Sequence, residues 1–577
     1  MIARGRTAVR ALRSHWTLAA LVFAVLAIVH TWPLVTEPGT LSRNDNGDAQ
    51  LNEWILAWVA HQLPRHPLQL FQGNIFYPAK DVLAFSEPLI VPALMVAPAL
   101  WLGASPVLAM NLAMLIGFAL TGLATYALTY AWTRDRLAAM TAGSLFAFNT
   151  HTLTRLPHVQ ALHAYGMPLS LLLADRLIAQ PGPATAMLLG ACMAMMAYTS
   201  GYFVVFATVM IAVVLLVRTA DWIGRFFRVA GMFGLAAITA GVLALPLLIP
   251  YRRVAVNQHM VRPLAEASLY SATFTGYLAA SGRVHFETWS AGFFANPVDT
   301  FFPGGIAVLL SLLAIWHALR GRDNRLRVAT VFAIGLTGFV LSLGPKTPLY
   351  AWLYAAFPPM QGLRAAARFG GLFLLAIALL AGLGLARLRQ GYGGQADLRQ
   401  GYGGQAGVRQ NNGGQPGSKR WATAVAIAAV FLVNLEALRA PFEYRRWGGI
   451  PEIYKLLASE PGQVVLAEMP FYPPNAVFEN AEYVLNSTAH WRPLMNGYSG
   501  YTPTTYREVA WLIWYFPDAR AFPPMIANGV THIMFHPHRW GREAPQTIEI
   551  ISKRPDLELM AVDEKTGIRL YRYKPRP

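Results

Sequence analysis

Two carboxylates, Asp45 and Asp48, stand at the head of the segment SRNDNGDAQLNEWILAWVAHQL. A carboxylate so placed can take the proton of an attacking hydroxyl as a general base. Asp is also a preferred helix N-cap, and Asn46-Gly47 is a turn pair, so capping is the plain structural alternative. A cap can also be a base, so both roles stay open. A second set of residues suits phosphate. Arg364 and Arg368, in FPPMQGLRAAARFGG, are four apart and share a helix face. A guanidinium grips phosphate through two parallel N–H donors; the structural alternative is an arginine snorkelling at a helix end. A third set lies in THTLTRLPHVQALHAY, where His151, Arg155, His158, Gln160 and His163 sit between long apolar runs. Polar residues at such a boundary line cavities, and hydrogen bonding to a polar ligand is the chemistry they suit. The three histidine spacings fit no zinc pattern. In GNIFYPAKDVLAFSEPL, Lys80 and Glu87 are placed to meet a lipid headgroup, with solvated surface charge as the alternative.

Other chemistries lack their motifs. The chain has no GxxxxGK[ST], HExxH, GxSxG or paired CxxC, which argues against ATP-driven transport, zinc proteolysis and serine hydrolysis. Its single cysteine, Cys192, lies in an apolar run and excludes an intrachain disulfide framework. In the C-terminal third, NAEYVLNSTAHWRPLMNGYSGYTP combines aromatic faces with hydrogen-bonding edges and suits sugar or peptide contact. His532, His536 and His538 partly follow strand alternation and predict no metal site.

The elements that position these residues follow from composition. Of 577 residues, 55% are hydrophobic and only 13% charged, with a formal net charge of +18. A soluble protein carries about a quarter charged residues. The basic excess therefore signals either nucleic-acid binding or the positive-inside bias of a membrane protein. Apolar runs at 16–35, 106–132, 137–150, 160–178, 184–199, 202–218, 229–250, 304–319, 328–344, 368–388 and 421–438 predict about 11 spans. The run 85–102 holds Pro88, Pro92 and Pro98 and is assigned a re-entrant or interfacial course. With that choice, the inside loops carry 19 basic residues against four acids, whereas the outside connections 151–159 and 199–201 carry only Arg155. The charge thus records topology: N-terminus inside, C-terminus outside, and no nucleic-acid partner.

The expected fold class is mainly α, a polytopic helical membrane protein with a small C-terminal α/β extracytoplasmic domain. Residues 1–35 form the cytoplasmic N-terminus and first span, and 36–105 an outer loop with amphipathic and interfacial helices. From Asp48 onward, Leu51, Trp54, Ile55, Trp58, Val59 and Gln62 predict an amphipathic helix whose tryptophans suit a membrane interface. Residues 106–388 form a transmembrane bundle with an outer loop at 251–303. A cytoplasmic Gly/Gln linker at 389–419 holds most of the decamer repeat 386–415, whose glycines oppose a packed core. Residues 420–439 form the last span. The region 440–577 is α/β, with strands at Val464–Ala467, His532–Phe535, Leu557–Val562 and Ile568–Tyr573.

Together, GDAQLNEW, NIFYP, LPHVQALH, LRAAARF and STAHWRPLMNGYSGY, set on this span pattern, resemble the GT-C superfamily of polytopic glycosyltransferases. The likeness is to family-39-like members of the protein mannosyltransferase and aminoarabinose transferase type, in a bacterial subgroup, over roughly residues 15–390. The paired acids usual in the first loop of that family are matched by Asp45 and Asp48. The second acid usual after the third span is replaced by His158-Val159-Gln160, a departure that bears on metal dependence. The resemblance implies an inverting transfer at the outer face of the inner membrane, from a sugar on polyprenyl phosphate to an envelope glycan, lipid or protein. It implies Asp48 as base with Asp45 second, and Arg364 or Arg368 on the leaving phosphate. His158 and Gln160 would orient the sugar or phosphate, with Lys80 near the lipid headgroups. No cofactor is implied, and no residue pattern calls for a divalent metal. Two other readings stand beside it: a lipid or sugar transporter or flippase, and a non-catalytic membrane scaffold. The first is disfavoured by the scarcity of acids in the spans, where only Asp175 and Glu436 lie near ends.

Overall fold

Long apolar helices dominate the chain, as lipid demands of backbone whose polar groups must be satisfied internally. The computed structural model describes residues 2–294, 299–321, 324–393 and 416–574. Five helical segments are long and apolar enough to cross a membrane: Pro106–Thr133, Thr219–Asn257, Arg325–Ser342, Ala366–Gln390 and Arg420–Ala437. Ser14–His30, Pro183–Ala197, Gly201–Val217 and Gly305–Arg320 are apolar but shorter. The chain is a multi-pass membrane protein. Two expected spans form helices shorter than their apolar runs. The run 137–150 is the helix Arg136–Ala147, and 160–178 becomes helical for good only at Gly166. Asn149 and Pro157 explain the interruption. The Asn149 side chain accepts from Thr152 N at 2.8 Å and starts a new four-residue turn, and Pro157 has no N–H to continue it. The run 85–102 contains the helix Ile90–Trp101 of 12 residues, roughly 18 Å at 1.5 Å per residue and short of the hydrocarbon thickness. Of the decamer repeat, the residues up to Gly393 continue the helix Gly370–Gly393, and 394–415 lie outside the described residues.

The contacts divide the chain into two units. The first comprises Met1–Thr36, Met114–Pro246 and Val261–Glu443. Its centre is the segment Ala366–Gln390, 83% buried over its apolar window. Small residues make that centre possible. A Cβ on Gly384 would meet the Leu310 carbonyl at 1.9 Å, so the two backbones approach as closely as glycine allows. The few acids here are structural. Asp135 caps Arg136–Ala147 by accepting from Leu137 N at 2.9 Å. Glu436 accepts from Gly305 N at 2.9 Å and caps Gly305–Arg320. Asp175 accepts from Trp132 Nε1 at 3.0 Å and pairs with Arg218.

The second unit comprises Glu37–Ala113, Leu247–Met260 and Tyr444–Pro577. The strands are β1 (Leu41–Ser42), β2 (Arg445–Arg446), β3 (Leu466–Met469), β4 (His532–Phe535), β5 (Leu557–Val562) and β6 (Arg569–Tyr573). β1 and β2 pair antiparallel, and the others form a sheet in the order β3-β4-β6-β5, with only β3 and β4 parallel. Leu494 runs beside β3, since Met495 N donates to Leu466 O at 2.9 Å. The segment NIFYP adds a further rung: Leu494 N donates to Asn74 O at 2.7 Å and Phe76 N to Asn496 O at 3.0 Å. Gly497 is required there, because a Cβ would lie 2.4 Å from the Phe76 ring. The C-terminal region therefore shares its unit with Glu37–Ala113. The helix Gly47–Gln62 is buried along most of its length. Trp54 and Trp58, expected at a lipid interface, instead donate to Asn74 Oδ1 at 3.1 Å and Leu70 O at 2.8 Å. An indole that finds a protein acceptor and a stacking partner is better satisfied inside than at a headgroup.

The sheet carries a buried polar knot. Oε2 of Glu468 meets the Tyr454 hydroxyl at 2.5 Å and His536 Nε2 at 2.7 Å, all three fully buried. Burial pushes the Glu468 carboxyl up from 4.5 to about 8 and holds the His536 ring down to about 3. At pH 7 the carboxyl keeps its proton in the fold and loses it on unfolding. The folded state thus binds the extra proton, and its stability falls as pH rises from 4.5 through 8. His536 adds no slope above 6.5, being neutral in both states. Thermal unfolding of the detergent-solubilised chain should give a lower Tm at pH 8.5 than at pH 6.5. Glu468→Gln, which keeps the neutral shape, should reduce that difference and leave the part owed to Glu53, also buried and raised to about 8; an unchanged slope would refute the assignment.

Candidate functional site

In the second unit, the backbone turn at Asn46 decides the state of the acids. The Asn46 side chain, not an aspartate, caps the helix by accepting from Asp48 N at 2.9 Å. The capping alternative for Asp45 and Asp48 thus falls to their neighbour. Asp45 is exposed and forked by Arg43, with both N···O distances at 3.1 Å. Asp48 is half-buried, and its Oδ1 accepts from the Tyr498 hydroxyl at 2.6 Å. That contact is local to the unit. Gly47 packs against Ala481 and Tyr498, with ideal Cβ distances of 3.2 and 3.4 Å. The helix start is thus pressed onto NGYSGY. Downstream on the same helix, Glu53 is buried, accepts from Ser42 Oγ at 3.1 Å, and is pushed up by burial to about 8. Lys80 is exposed.

In the first unit, His158, Gln160 and Arg368 come together. They line one cavity with His151, Arg155 and Tyr202. Four pieces of chain build it. Thr121, from Pro106–Thr133, donates to Leu162 O at 2.9 Å and anchors the broken 154–165 stretch. The Asn149 cap turns His151 onto the Phe301 ring, with centroids 4.4 Å apart. Tyr202 opens Gly201–Val217, and its hydroxyl accepts from Arg364 N at 2.9 Å and Ala365 N at 3.0 Å. That grip fixes the short turn Ala366–Phe369, and the Arg368 guanidinium then lies 4.3 Å over the Tyr202 ring. Phe146, Phe203, Phe206 and Leu374 supply apolar wall, and no Asp or Glu occurs among the described residues lining the cavity. Arg155 is buried, and Asp299, its carboxyl raised by burial, feels it as a charge partner. Two guanidiniums, imidazoles and amides beside aromatic wall are suited to an anion carrying an apolar group.

Arg364 does not line this cavity. Its guanidinium is half-exposed, lies 4.3 Å over the Tyr270 ring and pairs with Glu266 at 3.1 Å. The i, i+4 spacing assumed a regular helix, whereas residues 358–369 run as two short 3-10 turns that send the two arginines different ways. Tyr498 and Tyr202 escaped the sequence reading. Tyr498 lay in a run singled out for aromatic contacts, but nothing in the sequence tied it to an acid 450 positions away. Among the described residues, no group of three or more His, Cys, Asp or Glu could hold a metal ion.

No protein-family pattern matches the chain, and no curated protein matches it in sequence. Solved structures do. The arabinofuranosyltransferase AftD from Mycobacteria aligns over 98% of this chain with a TM-score of 0.58 at 15% identity. The oligosaccharyltransferase AglB from Archaeoglobus fulgidus, in complex with an inhibitory peptide and a dolichol-phosphate, aligns over 97% with a TM-score of 0.52 at 13% identity. The chain has the GT-C fold. It spans 40% of the length of AftD and 74% of AglB. ArnT from Cupriavidus metallidurans, bound to undecaprenyl phosphate, aligns over 97% of this chain and 99% of its own length, at 13% identity and a TM-score of 0.48. Within this GT-C chain, the arginine geometry makes a prediction. Inorganic phosphate or sulfate should raise the Tm of the solubilised chain, Arg368→Gln should abolish the increment, and Arg364→Gln should keep it while changing basal stability by about 1 kcal/mol or less. Loss of the increment in both variants or in neither would contradict the division of roles.

Proposed function

We propose that the chain transfers a sugar from a polyprenyl-phosphate donor to an envelope acceptor, with inversion, on the outer face of the bacterial inner membrane. The observation that carries this reading is the cavity: two guanidiniums and two imidazoles against an aromatic wall, on a GT-C scaffold. It matches an amphiphilic phosphate, and AglB, of the same fold, was solved with a dolichol-phosphate. Asp48 is the proposed base. Its carboxylate takes the acceptor hydroxyl proton, and the acceptor oxygen bonds to the anomeric carbon. The bond from that carbon to the phosphate oxygen breaks, and its electron pair leaves with the phosphate. Arg368 and Arg155 offset the charge that develops on the leaving group. His158 and Gln160 orient the phosphate or a sugar hydroxyl, and Tyr498 holds the Asp48 carboxylate in one rotamer. The 19 inside basic residues support this orientation of the chain.

A transporter needs ionisable groups in the spans that are available to a coupling ion. Asp175 and Glu436 are engaged by Arg218 and a helix start, which favours the transferase. Asp48→Asn should lower transfer by about 10²-fold or more, with expression and Tm unchanged. Asp45→Asn, which frees only Arg43, should cost much less. The readout is restoration of envelope glycans in a deletion strain at matched expression. Full restoration by Asp48→Asn would overturn the base, and full restoration by the Asp45, Asp48 double variant would favour the scaffold.

A further inference from the structure

The helix Thr504–Trp514 buries one face, with Tyr506, Ala510 and Ile513 toward its own unit. Its other face is costly in water. Trp511 is 49% exposed, Leu512 44% and Tyr515, just past its end, 47%. A contiguous patch of large apolar side chains marks an interaction surface. Its position in the fold names the partner. Just before this helix, Tyr501 donates to Gln258 O at 3.1 Å, and Thr504 N donates to Gln258 Oε1 at 3.1 Å. Gln258 directly follows the helix Phe226–Asn257, which is long and apolar enough to cross a membrane. The apolar stretch of that helix ends at Tyr251-Arg252-Arg253, the usual sequence of a hydrocarbon boundary. The Tyr251 hydroxyl donates to Ser86 O, and Gly500 packs against the same stretch, where a Cβ would come within 3.0 Å of Phe85 O. Residues 500–504 are therefore tied at two levels to the emerging end of a membrane helix, within a single unit. Gln258 lies about 10 Å beyond Tyr251 along the helix, within the headgroup zone. The patch has the chemistry of that zone: indole and phenol rings with guanidiniums at both ends, Arg507 beside Tyr501 and Arg520, paired with Asp518, stacked 4.0 Å over Tyr515.

We infer that Thr504–Trp514 is an interfacial helix, which lays Trp511, Leu512 and Tyr515 into the headgroup and acyl boundary of the membrane that the chain spans. The surface is independent of the transferase reading, since it needs neither Asp48 nor the arginine cavity. Spin labels on Trp511→Cys, Leu512→Cys and Tyr515→Cys, made in a Cys192→Ala background of the full chain in lipid nanodiscs, test it. The ratio of collision with oxygen to collision with a nickel chelate should be several-fold higher at all three than at Glu549→Cys, an exposed position in the same unit. Ratios equal to that control would overturn the inference. So would labels immobilised by soluble envelope glycan fragments with water-like ratios, which would make the patch a sugar platform. A second measurement does not depend on cysteine variants. Brominated phosphatidylcholine should quench a larger fraction of wild-type tryptophan fluorescence than of the Trp511→Phe, Trp514→Phe variant, and equal fractions would count against the proposal.

Discussion

The main-chain rungs between Asn74–Tyr77 and Leu494–Asn496 hold the second unit together. Segments more than 400 residues apart in sequence complete each other's backbone hydrogen bonding, and buried N–H and C=O groups tolerate no other solution. Everything chemical in that unit follows from the pairing. It seats Asn74 where Trp54 can donate to it, which fixes the helix Gly47–Gln62. It also brings Gly497 onto Phe76 with no room for a side chain, and so delivers Tyr498 to Asp48. The acid is held by three layers of constraint: the Asn46 cap, the Gly47 contact and the Tyr498 hydroxyl. Preorganisation of this kind is what a general base requires.

The first unit solves a different problem. Charged side chains at membrane depth are costly, and they persist where a cavity and aromatic faces receive them. Breaking the helix after Ala147 opens that space. In a continuous helix His151, Arg155 and His158 would share one face, but Gln160 would point the opposite way. The Asn149 cap and Pro157 instead gather all four on one wall. Tyr202 is the counterpart on the other wall. One hydroxyl accepts two backbone N–H groups, and its ring supports Arg368.

Much of this was legible in the sequence. Apolar runs and arginine placement yielded a multi-spanning chain, and five landmark segments pointed to the GT-C fold. His158, Gln160 and Arg368 were singled out and share a cavity. The shortfalls have physical causes. The i, i+3, i+4 pattern of Gly47–Gln62 read as amphipathic because Asn52, Glu53 and Gln62 are polar, yet all three are buried, which only tertiary packing reveals. Arg364 and Arg368 were paired by helical spacing in a stretch that forms 3-10 turns after two prolines. Tyr498 and Glu468 act through partners distant in sequence, where periodicity carries no signal.

If the arginine cavity recognises the phosphate of a prenyl lipid, two ligands with the same tail must differ in affinity. Native mass spectrometry or scintillation proximity on the purified chain would compare undecaprenyl phosphate with undecaprenol. The phosphate form should bind at least about tenfold tighter, equivalent to about 1.4 kcal/mol, and Arg368→Gln should remove most of the difference. Equal affinity for the phosphate and the alcohol in the wild-type chain would contradict that recognition.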